Sequence, residues 1–357
     1  MIWIRADANR EIGAGHLMRC LAVAGALERR GQQVCFLTAD EEAGKLLAER
    51  GKTFRVLHTD YRHMEEELPR LRKLLGGERE SFFLVDSYQA TPEYLEEAGK
   101  LARTGYVDDM GRGNLPVDVL INYNIYAGEL SYEGLKPDAR RLLGMEYVPL
   151  RQEFASVKYQ VREQAGQVLV TTGGSDKYNL AGKLLERALA WGETKNLRYV
   201  VVSGAFNVHL PALREIQEKH GNVKICCNVQ NMSELMQESD IAVSAGGSTM
   251  YELGAVGVPA VCFSFVDNQE RIVEGFVKNR MACFGGNYLR QGENMLDGAV
   301  EYVARLAADS RLRREYSSRQ RSLVDGQGAD RIARALEAEC RGGKEKDRAV
   351  CRMENGV

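Results

Sequence analysis

The size and charge of the chain exclude several classes of function. Its 357 residues exceed what one hydrophobic core usually organises, so two domains are expected. The 48 basic and 50 acidic residues give a formal net charge of -2, which provides no general attraction to nucleic acid or anionic lipid. The composition therefore predicts a small-molecule partner.

The sequence contains no membrane or metal signature. No apolar run approaches the roughly 18 to 20 residues of a membrane span, and Arg5 and Asp7 interrupt the amino terminus where a signal peptide needs an apolar core. We therefore expect a cytoplasmic protein without membrane insertion. The eight cysteines include no C-x-x-C pair, so they predict neither a disulfide framework nor a zinc site.

Strands and helices alternate through the first part of the chain. MIWIRAD is predicted as a strand, HLMRCLAVAGALERRG as a helix closed by Gly31, and QVCFLTA as a second strand. The alternation continues to the strand VDVLINYN, with one helix, MEEELPRLRKLLGG, interrupted at Pro69. Such alternation is typical of a parallel sheet, so residues 1–155 are predicted to form a Rossmann-like domain.

The same pattern restarts after a loose stretch near residues 150–166. Strands such as QVLVTTGG, IAVSAGG and PAVCFSF alternate with helices, and the chain after residue 286 is helical and charged. We predict a second Rossmann-like domain over residues 156–340, including the terminal helices, and a disordered tail over 341–357. Two open α/β sheets in series predict a ligand in a central cleft, beyond the carboxyl ends of the strands.

The stretch IGAGH follows the first strand and contains the candidate base, His16. Gly13 and Gly15 would let a ligand approach the backbone, and a neutral imidazole at the helix start could take a proton from water or a hydroxyl. The alternative is an ordinary glycine turn with a partly exposed histidine. A dinucleotide fingerprint needs a third glycine where this chain has Met18, which argues against a nicotinamide cofactor.

Two glycine loops in the second half of the chain are candidate phosphate sites. In TTGGSD, Gly173 and Gly174 follow a strand and precede a helix, although glycines at the end of a strand are common. In SAGGSTMYE, Gly247, Ser248 and Thr249 open a helix and place hydroxyls and N–H groups at its positive end. This loop predicts a diphosphate site that needs no metal.

Further polar residues follow other predicted strands. Glu252 lies about one turn into the helix after SAGG, where it could accept both hydroxyls of a ribose or simply serve the helix dipole. Tyr88 in VDSYQ, with Asn268 and Gln269 in VDNQE, could hold sugar hydroxyls or amides, although Asn268 could equally be a turn residue.

These residues form a combination that resembles a known family. R-A-D-x(4)-I-G-x-G-H-x-x-R-C, V-D-x-Y, L-I-N-Y-N-I-Y-A, T-G-G-S-D, S-A-G-G-S-T-x-x-E and V-x-N-Q-E are similar to the UDP-2,4-diacetamido-2,4,6-trideoxy-β-L-altropyranose hydrolases of pseudaminic acid biosynthesis, over roughly residues 1–275. The resemblance implies a GT-B fold, related to the peptidoglycan UDP-GlcNAc transferase. It also implies that the second domain binds UDP, that the first supplies the chemistry, and that His16, Tyr88 and Asn268 are catalytic.

The implied reaction is hydrolysis of the UDP sugar without metal or cofactor, by water attack at the anomeric carbon with inversion. We predict that UDP binds to the two glycine loops and Glu252. We predict that the sugar binds to Asp7, Gly13, Gly15 and Gln269. Asp7 is also a candidate to orient His16. Two alternatives remain open: a glycosyltransferase of the same fold, and a nucleotide-sugar binding protein without turnover in surface polysaccharide synthesis. No protein partner is predicted.

Overall fold

Two compact units make up the described chain. The computed structural model describes residues 1–9, 11–76, 81–113, 115–204 and 206–340. The first unit comprises Met1–Gln152 with the chain from Gln327 onward, and the second comprises Glu153–Gly326. The predicted boundary at residue 155 lies close to this division. The tail predicted over 341–357 lies outside the described residues.

A seven-stranded parallel sheet forms the centre of the first unit, in the order β3-β2-β1-β4-β5-β6-β7. The strands are β1 Ile2–Ala6, β2 Val34–Thr38, β3 Phe54–Val56, β4 Phe82–Asp86, β5 Arg103–Val107, β6 Val119–Asn122 and β7 Arg140–Leu143. The order reverses between β1 and β4, where Ala6 pairs with Asp86. Doubly wound sheets bind ligands at such a reversal. The edge strand β7 was not predicted, because Arg140 and Arg141 are exposed and interrupt any apolar pattern.

Among the residues that the structure describes, four α-helices connect these strands: α1 Gly15–Arg29, α2 Glu41–Glu49, α3 Leu68–Leu75 and α4 Pro92–Gly99. The predicted break at Pro69 is corrected by the structure. Met64–Glu67 form a 3₁₀ turn, and α3 begins immediately afterwards with Pro69 in its first turn. Proline is tolerated there because the first N–H groups of a helix have no intrahelical partner. Pro69 therefore lies at the start of α3 and does not interrupt it.

The chain from 328 to 340 is helical and belongs to the first unit, although the sequence placed it in the second domain. Its Glu337 pairs with Arg30, the residue after α1, at 2.5 Å, and its Glu339 pairs with Arg103 of β5 at 2.6 Å. Leu336 of this helix is fully buried. The helical pattern was recognised, but a pattern alone does not show which sheet a helix packs against.

The second unit is built on a six-stranded parallel sheet in the order β10-β9-β8-β11-β12-β13. The strands are β8 Gln167–Thr171, β9 Arg198–Ser203, β10 Val223–Cys227, β11 Ile241–Ala245, β12 Ala260–Ser264 and β13 Ala282–Asn287. Here the order reverses between β8 and β11. The strand β13 was not predicted, because Gly285 and Gly286 give it a weak strand pattern, and its pairing with β12 shifts register between Cys262 and Phe263.

In the described part of the second unit, eight helices accompany this sheet. They are α5 Leu180–Ala190, α6 Leu210–Lys219, α7 Met232–Gln237, α8 Thr249–Val256, α9 Asp267–Lys278, α10 Tyr288–Gln291, α11 Asn294–Ala308 and α12 Ser310–Leu323. The predicted loop VDNQE is therefore largely the first turn of α9. Within the parts of the chain that the structure describes, no helix has both the length and the apolar character needed to cross a membrane.

Candidate functional site

The loop between β1 and α1 brings His16 to the reversal point of the first sheet. Gly13 has a φ of +72°, which suits glycine, and its N–H donates to the carbonyl of Asn9 at 2.8 Å. The helix α1 then begins at Gly15, so His16 lies in its first turn. A Cβ at either glycine would meet no atom within 4 Å, so both positions leave space beside the backbone.

A buried carboxylate orients His16. The Nδ1 atom of His16 lies 2.7 Å from Oδ1 of Asp86, the last residue of β4. The Asp86 side chain is buried, with only 1% of the residue exposed. Burial acts to raise the pKa of Asp86, but the Arg19 charge and the hydrogen bonds from Arg19 and His16 outweigh it and hold that pKa well below its usual range. Nδ1 also lies 2.9 Å from Arg19 Nη2, which can only donate, but that nitrogen already donates to Asp86 Oδ1 at 2.5 Å. Because the ionised carboxylate can only accept and is the closer of the two partners, we assign the hydrogen to Nδ1 of His16. In the neutral imidazole, Nε2 then carries the free lone pair.

Arg19 links two carboxylates one turn further along α1. Its Nε donates to Asp86 Oδ2 at 2.5 Å and its Nη2 to Asp86 Oδ1 at 2.5 Å, a two-point contact that fixes the carboxylate plane. Its Nη1 donates to Asp109 Oδ2 at 2.6 Å and to the Tyr123 hydroxyl at 2.8 Å. The Asp86 carboxylate that positions the imidazole is thus held in place by a guanidinium that is itself anchored at a second point.

Tyr88, two residues beyond the end of β4, lies against His16. The two rings meet edge to face with their centroids 4.4 Å apart. The Tyr88 hydroxyl donates to Asp109 Oδ2 at 2.9 Å. Burial and the negative charge of Asp109 raise the pKa of Tyr88 above its usual range, so the phenol stays protonated at neutral pH. His16 and Tyr88 are therefore brought together, while Tyr88 remains 37% exposed.

Asp7 takes a different place from the one predicted for it. Its Oδ2 accepts from Arg5 Nη1 at 2.5 Å and its Oδ1 from the Ala39 N–H at 2.8 Å. Arg5 in turn donates to the buried Glu67 at 2.9 Å. Asp7 thus belongs to a buried ion cluster that ties β1 to its neighbours, and the carboxylate that contacts His16 is Asp86. A sugar-binding role for Asp7 stays a prediction.

The two loops predicted to bind phosphate follow β8 and β11, between which the strand order of the second sheet reverses. Gly173 has a φ of +85°, and the loop packs closely, since a Cβ on Gly204 would lie 2.3 Å from the Gly174 carbonyl oxygen. The Asp176 carboxylate accepts from the N–H groups of Leu180 and Ala181 at 2.7 and 3.1 Å. It therefore occupies the amino terminus of α5.

The start of α8 is the second predicted phosphate site. Ser248 is exposed and Thr249 half-buried at its first residues, and within the described chain no side chain caps this helix end. A Cβ on Gly247 would meet no atom within 4 Å, which leaves room for a ligand beside the backbone. Glu252 lies half-buried in the first turn. The helix end, the two hydroxyls and the carboxylate thus lie within one helical turn, and their roles toward a diphosphate and a ribose stay predictions.

Asn268 and Gln269 lie in the first turn of α9, beyond the carboxyl end of β12. Asn268 is exposed. Gln269 uses its side-chain oxygen locally, accepting the Phe265 N–H at 3.0 Å. The Gln269 side chain thus stabilises the turn between β12 and α9, whereas the Asn268 side chain is exposed to solvent. Among the residues that the structure describes, no group of three or more His, Cys, Asp or Glu side chains could hold a metal ion.

Comparison with solved structures decides the fold. MurG of Acinetobacter baumannii matches over 94% of this chain and 99% of that chain, with a TM-score of 0.67 at 14% identity. The spinosyn rhamnosyltransferase SpnG, complexed with spinosyn aglycone, matches over 94% of this chain and 99% of that chain, with a TM-score of 0.65 at 14% identity. The fold is GT-B. The predicted architecture of two Rossmann-like domains is confirmed.

Sequence comparison adds a family match in the second unit of this GT-B chain. Residues 168–283 match the glycosyltransferase family 28 C-terminal domain. The spore coat polysaccharide biosynthesis protein SpsG of Bacillus subtilis is 27% identical, covering 94% of this chain and 97% of that protein. The UDP-2,4-diacetamido-2,4,6-trideoxy-beta-L-altropyranose hydrolase of Campylobacter jejuni is 26% identical, covering 75% of this chain and 93% of that protein.

Proposed function

We propose that this protein hydrolyses UDP-2,4-diacetamido-2,4,6-trideoxy-β-L-altropyranose to UDP and the free sugar, with inversion at the anomeric carbon. The observation that supports this most directly is the His16–Asp86 pair at 2.7 Å, which is a general base with its own orienting carboxylate. The hydrolase name of the Campylobacter jejuni relative supports the choice of substrate.

In the proposed reaction, His16 Nε2 takes a proton from water as the water oxygen attacks the anomeric carbon. The bond from that carbon to the diphosphate oxygen breaks, and its electron pair leaves with UDP. Asp86 stays ionised because Arg19 lowers its pKa, and it stabilises the imidazolium that forms. A positioned base of this kind contributes about 10²- to 10⁴-fold to a rate.

The second unit is proposed to bind UDP. The start of α8 offers the N–H groups and hydroxyls of Ser248 and Thr249 to the diphosphate, and Glu252 offers a carboxylate to the ribose. Gly247 contributes space beside the backbone, since its own N–H donates to the Ala245 carbonyl at 2.8 Å. A diphosphate is a good leaving group, and a helix amino terminus stabilises the charge that develops on it. The proposed chemistry therefore needs neither a metal ion nor a cofactor. Asn268 is proposed to assist catalysis, as the family resemblance implies.

A glycosyltransferase is the second candidate. The match to the family 28 C-terminal domain and the likeness to MurG and SpnG support it. In that reaction His16 would deprotonate an acceptor hydroxyl where the hydrolase deprotonates water. A third possibility, nucleotide-sugar binding without turnover, would leave the His16–Asp86 pair without a use.

Proton and phosphorus NMR of the EDTA-treated protein with the UDP sugar and no acceptor tests the proposal. Wild type is expected to release UDP together with the sugar of inverted anomeric configuration. His16→Ala should lower the rate by about 10²- to 10⁴-fold. His63→Ala is the matched control, because His63 is an exposed histidine of the same unit and its loss should not change the rate. Binding without UDP release would refute the hydrolase proposal for this substrate.

A further inference from the structure

Two side chains hold the backbone of Asp109 in place by hydrogen bonds. Asp109 follows β5, and its backbone carbonyl accepts the Tyr126 hydroxyl at 2.9 Å and the Asn124 side-chain amide at 3.2 Å. Both donors come from the stretch LINYNIYA, which ends β6 and to which the proposed function assigns no role. Tyr123 of the same stretch accepts from Arg19 at 2.8 Å. One function of this motif is thus to fix Asp109 in place.

The fixed Asp109 carboxylate determines which way the Tyr88 hydroxyl points its hydrogen. Asp109 Oδ2 accepts from Arg19 Nη1 at 2.6 Å and from the Tyr88 hydroxyl at 2.9 Å. A phenol has a single hydrogen, and here that hydrogen is committed to Asp109. What Tyr88 can still offer to a substrate is therefore its oxygen lone pairs, which act only as hydrogen-bond acceptors.

We infer that Asp109 is a positioning residue that turns Tyr88 into an acceptor for the second hydrogen of the attacking water, and so favours water over alcohols. This inference rests on the proposed hydrolase function. Water carries two hydrogens, so it can donate one to His16 Nε2 and the other to the Tyr88 oxygen. An alcohol carries one, so it would leave one of these two acceptors unsatisfied. Asp109 thereby favours hydrolysis over transfer on a fold that serves both.

The step balances without any further reactant. The hydrogen on His16 Nε2 is the one transferred, the Tyr88 contact only orients the water, and the electron pair of the broken bond leaves with UDP. The Tyr88 hydroxyl keeps its hydrogen throughout, in agreement with the raised pKa of that phenol. Asp109 therefore touches neither substrate nor reacting atoms and acts through Tyr88.

The carboxylate offers a conservative variant for the test. Both hydrogen bonds to the Asp109 carboxylate converge on Oδ2, while Oδ1 is buried and has no partner among the described residues. In Asp109→Asn the amide oxygen should occupy the Oδ2 position, because Arg19 and Tyr88 both donate there. This variant keeps Tyr88 as an acceptor. Asp109→Ala removes the acceptor and frees the Tyr88 hydrogen, and Tyr88→Phe removes the oxygen while leaving the Arg19–Asp109 pair in place.

The measurement is the product ratio in a water–methanol mixture, read by proton NMR as methyl glycoside against free sugar, with UDP release followed by phosphorus NMR. Asp109→Ala and Tyr88→Phe should each raise the methyl glycoside share about two- to tenfold, the contribution of one hydrogen bond. Asp109→Asn should stay near the wild-type ratio, and the double variant Asp109→Ala/Tyr88→Phe should match Tyr88→Phe alone. Asp138→Ala, at an exposed aspartate of the same unit, is the control.

Each outcome decides the inference. UDP release with an unchanged product ratio in Asp109→Ala and Tyr88→Phe would overturn the role of Asp109 and leave the hydrolase proposal standing. Additive effects in the double variant would also overturn it, because Asp109 would then not act through Tyr88. If Asp109→Ala does not fold, an unchanged ratio in Tyr88→Phe still overturns the inference. No UDP release by wild type would overturn both proposals.

Discussion

Replacing Asp86 by the similarly sized asparagine should remove most of the contribution that His16 makes to the reaction rate. Arg19 donates to both Asp86 oxygens, so the NH₂ group of the asparagine must face an Arg19 N–H at either the Oδ1 or the Oδ2 position. The Oδ1 side is preferred, because His16 Nδ1 can accept a hydrogen there. His16 would then hold its own hydrogen on Nε2, the wrong nitrogen for a base. We expect the rate to fall about 10²- to 10⁴-fold, up to the whole contribution of the base.

The same substitution should also change how stability depends on pH. At neutral pH it removes a charge-assisted hydrogen bond of a buried group, which contributes about 1.5–3 kcal/mol to the free energy of unfolding. The folded-state pKa of Asp86 is lowered relative to an unfolded value near 4, so the unfolded chain binds more protons in that range. The stabilisation is therefore complete above about pH 4 and is lost as the pH falls toward the folded pKa.

Two measurements check this reasoning. The first is UDP release by Asp86→Asn beside wild type and Asp60→Asn, a control at an exposed aspartate paired with Arg62. The second is the urea midpoint of each protein at neutral pH and well below pH 4, where the difference between wild type and Asp86→Asn should shrink. Wild-type activity in Asp86→Asn would refute the orienting role. A stability difference that is the same at both pH values would refute the assignment of a low pKa to Asp86.

Three further predictions concern other parts of the site. Arg19→Lys should lower activity strongly in the NMR assay, because a single ammonium cannot replace the two-point contact with Asp86 and reach Asp109 as well. Gly204→Ala should weaken UDP binding by calorimetry and lower the melting temperature, since its Cβ would lie 2.3 Å from the Gly174 carbonyl oxygen; unchanged values would show that the loop yields easily. Glu252→Gln should weaken UDP affinity about tenfold, or roughly 1.4 kcal/mol, and equal affinity would exclude a ribose contact.

Most of the fold could be predicted from the alternation of strand and helix patterns in the sequence. Buried parallel strands are short apolar runs, and such runs are easily recognised. The elements that escaped are those without such a run: β7 has exposed arginines, and β13 contains two glycines in succession. The helix α9 was missed for another reason, because its polar first turn, VDNQE, was interpreted as a loop after β12.

The candidate site was predictable only where its residues are close in sequence. His16 follows a glycine turn, and Tyr88 follows the V-D strand end, so both could be found by reading along the chain. The choice of Asp7 over Asp86 as the partner of His16 could not be corrected that way. It depends on β1 lying beside β4, which is a property of strand order. The contacts of Asp109 with Arg19 and Tyr88 depend on the same strand order, because Asp109 follows β5, which lies next to β4.

The return of the chain to the first unit at Gln327 makes the second unit an insertion within the first. The residues Glu153–Gly326 are one continuous stretch and can be excised as a single gene fragment. The first unit cannot, because a fragment that stops at residue 152 lacks the helix carrying Glu337 and Glu339, which pair with Arg30 and Arg103. To express the first unit by itself, two separate segments must be joined, for example through a short glycine-serine linker.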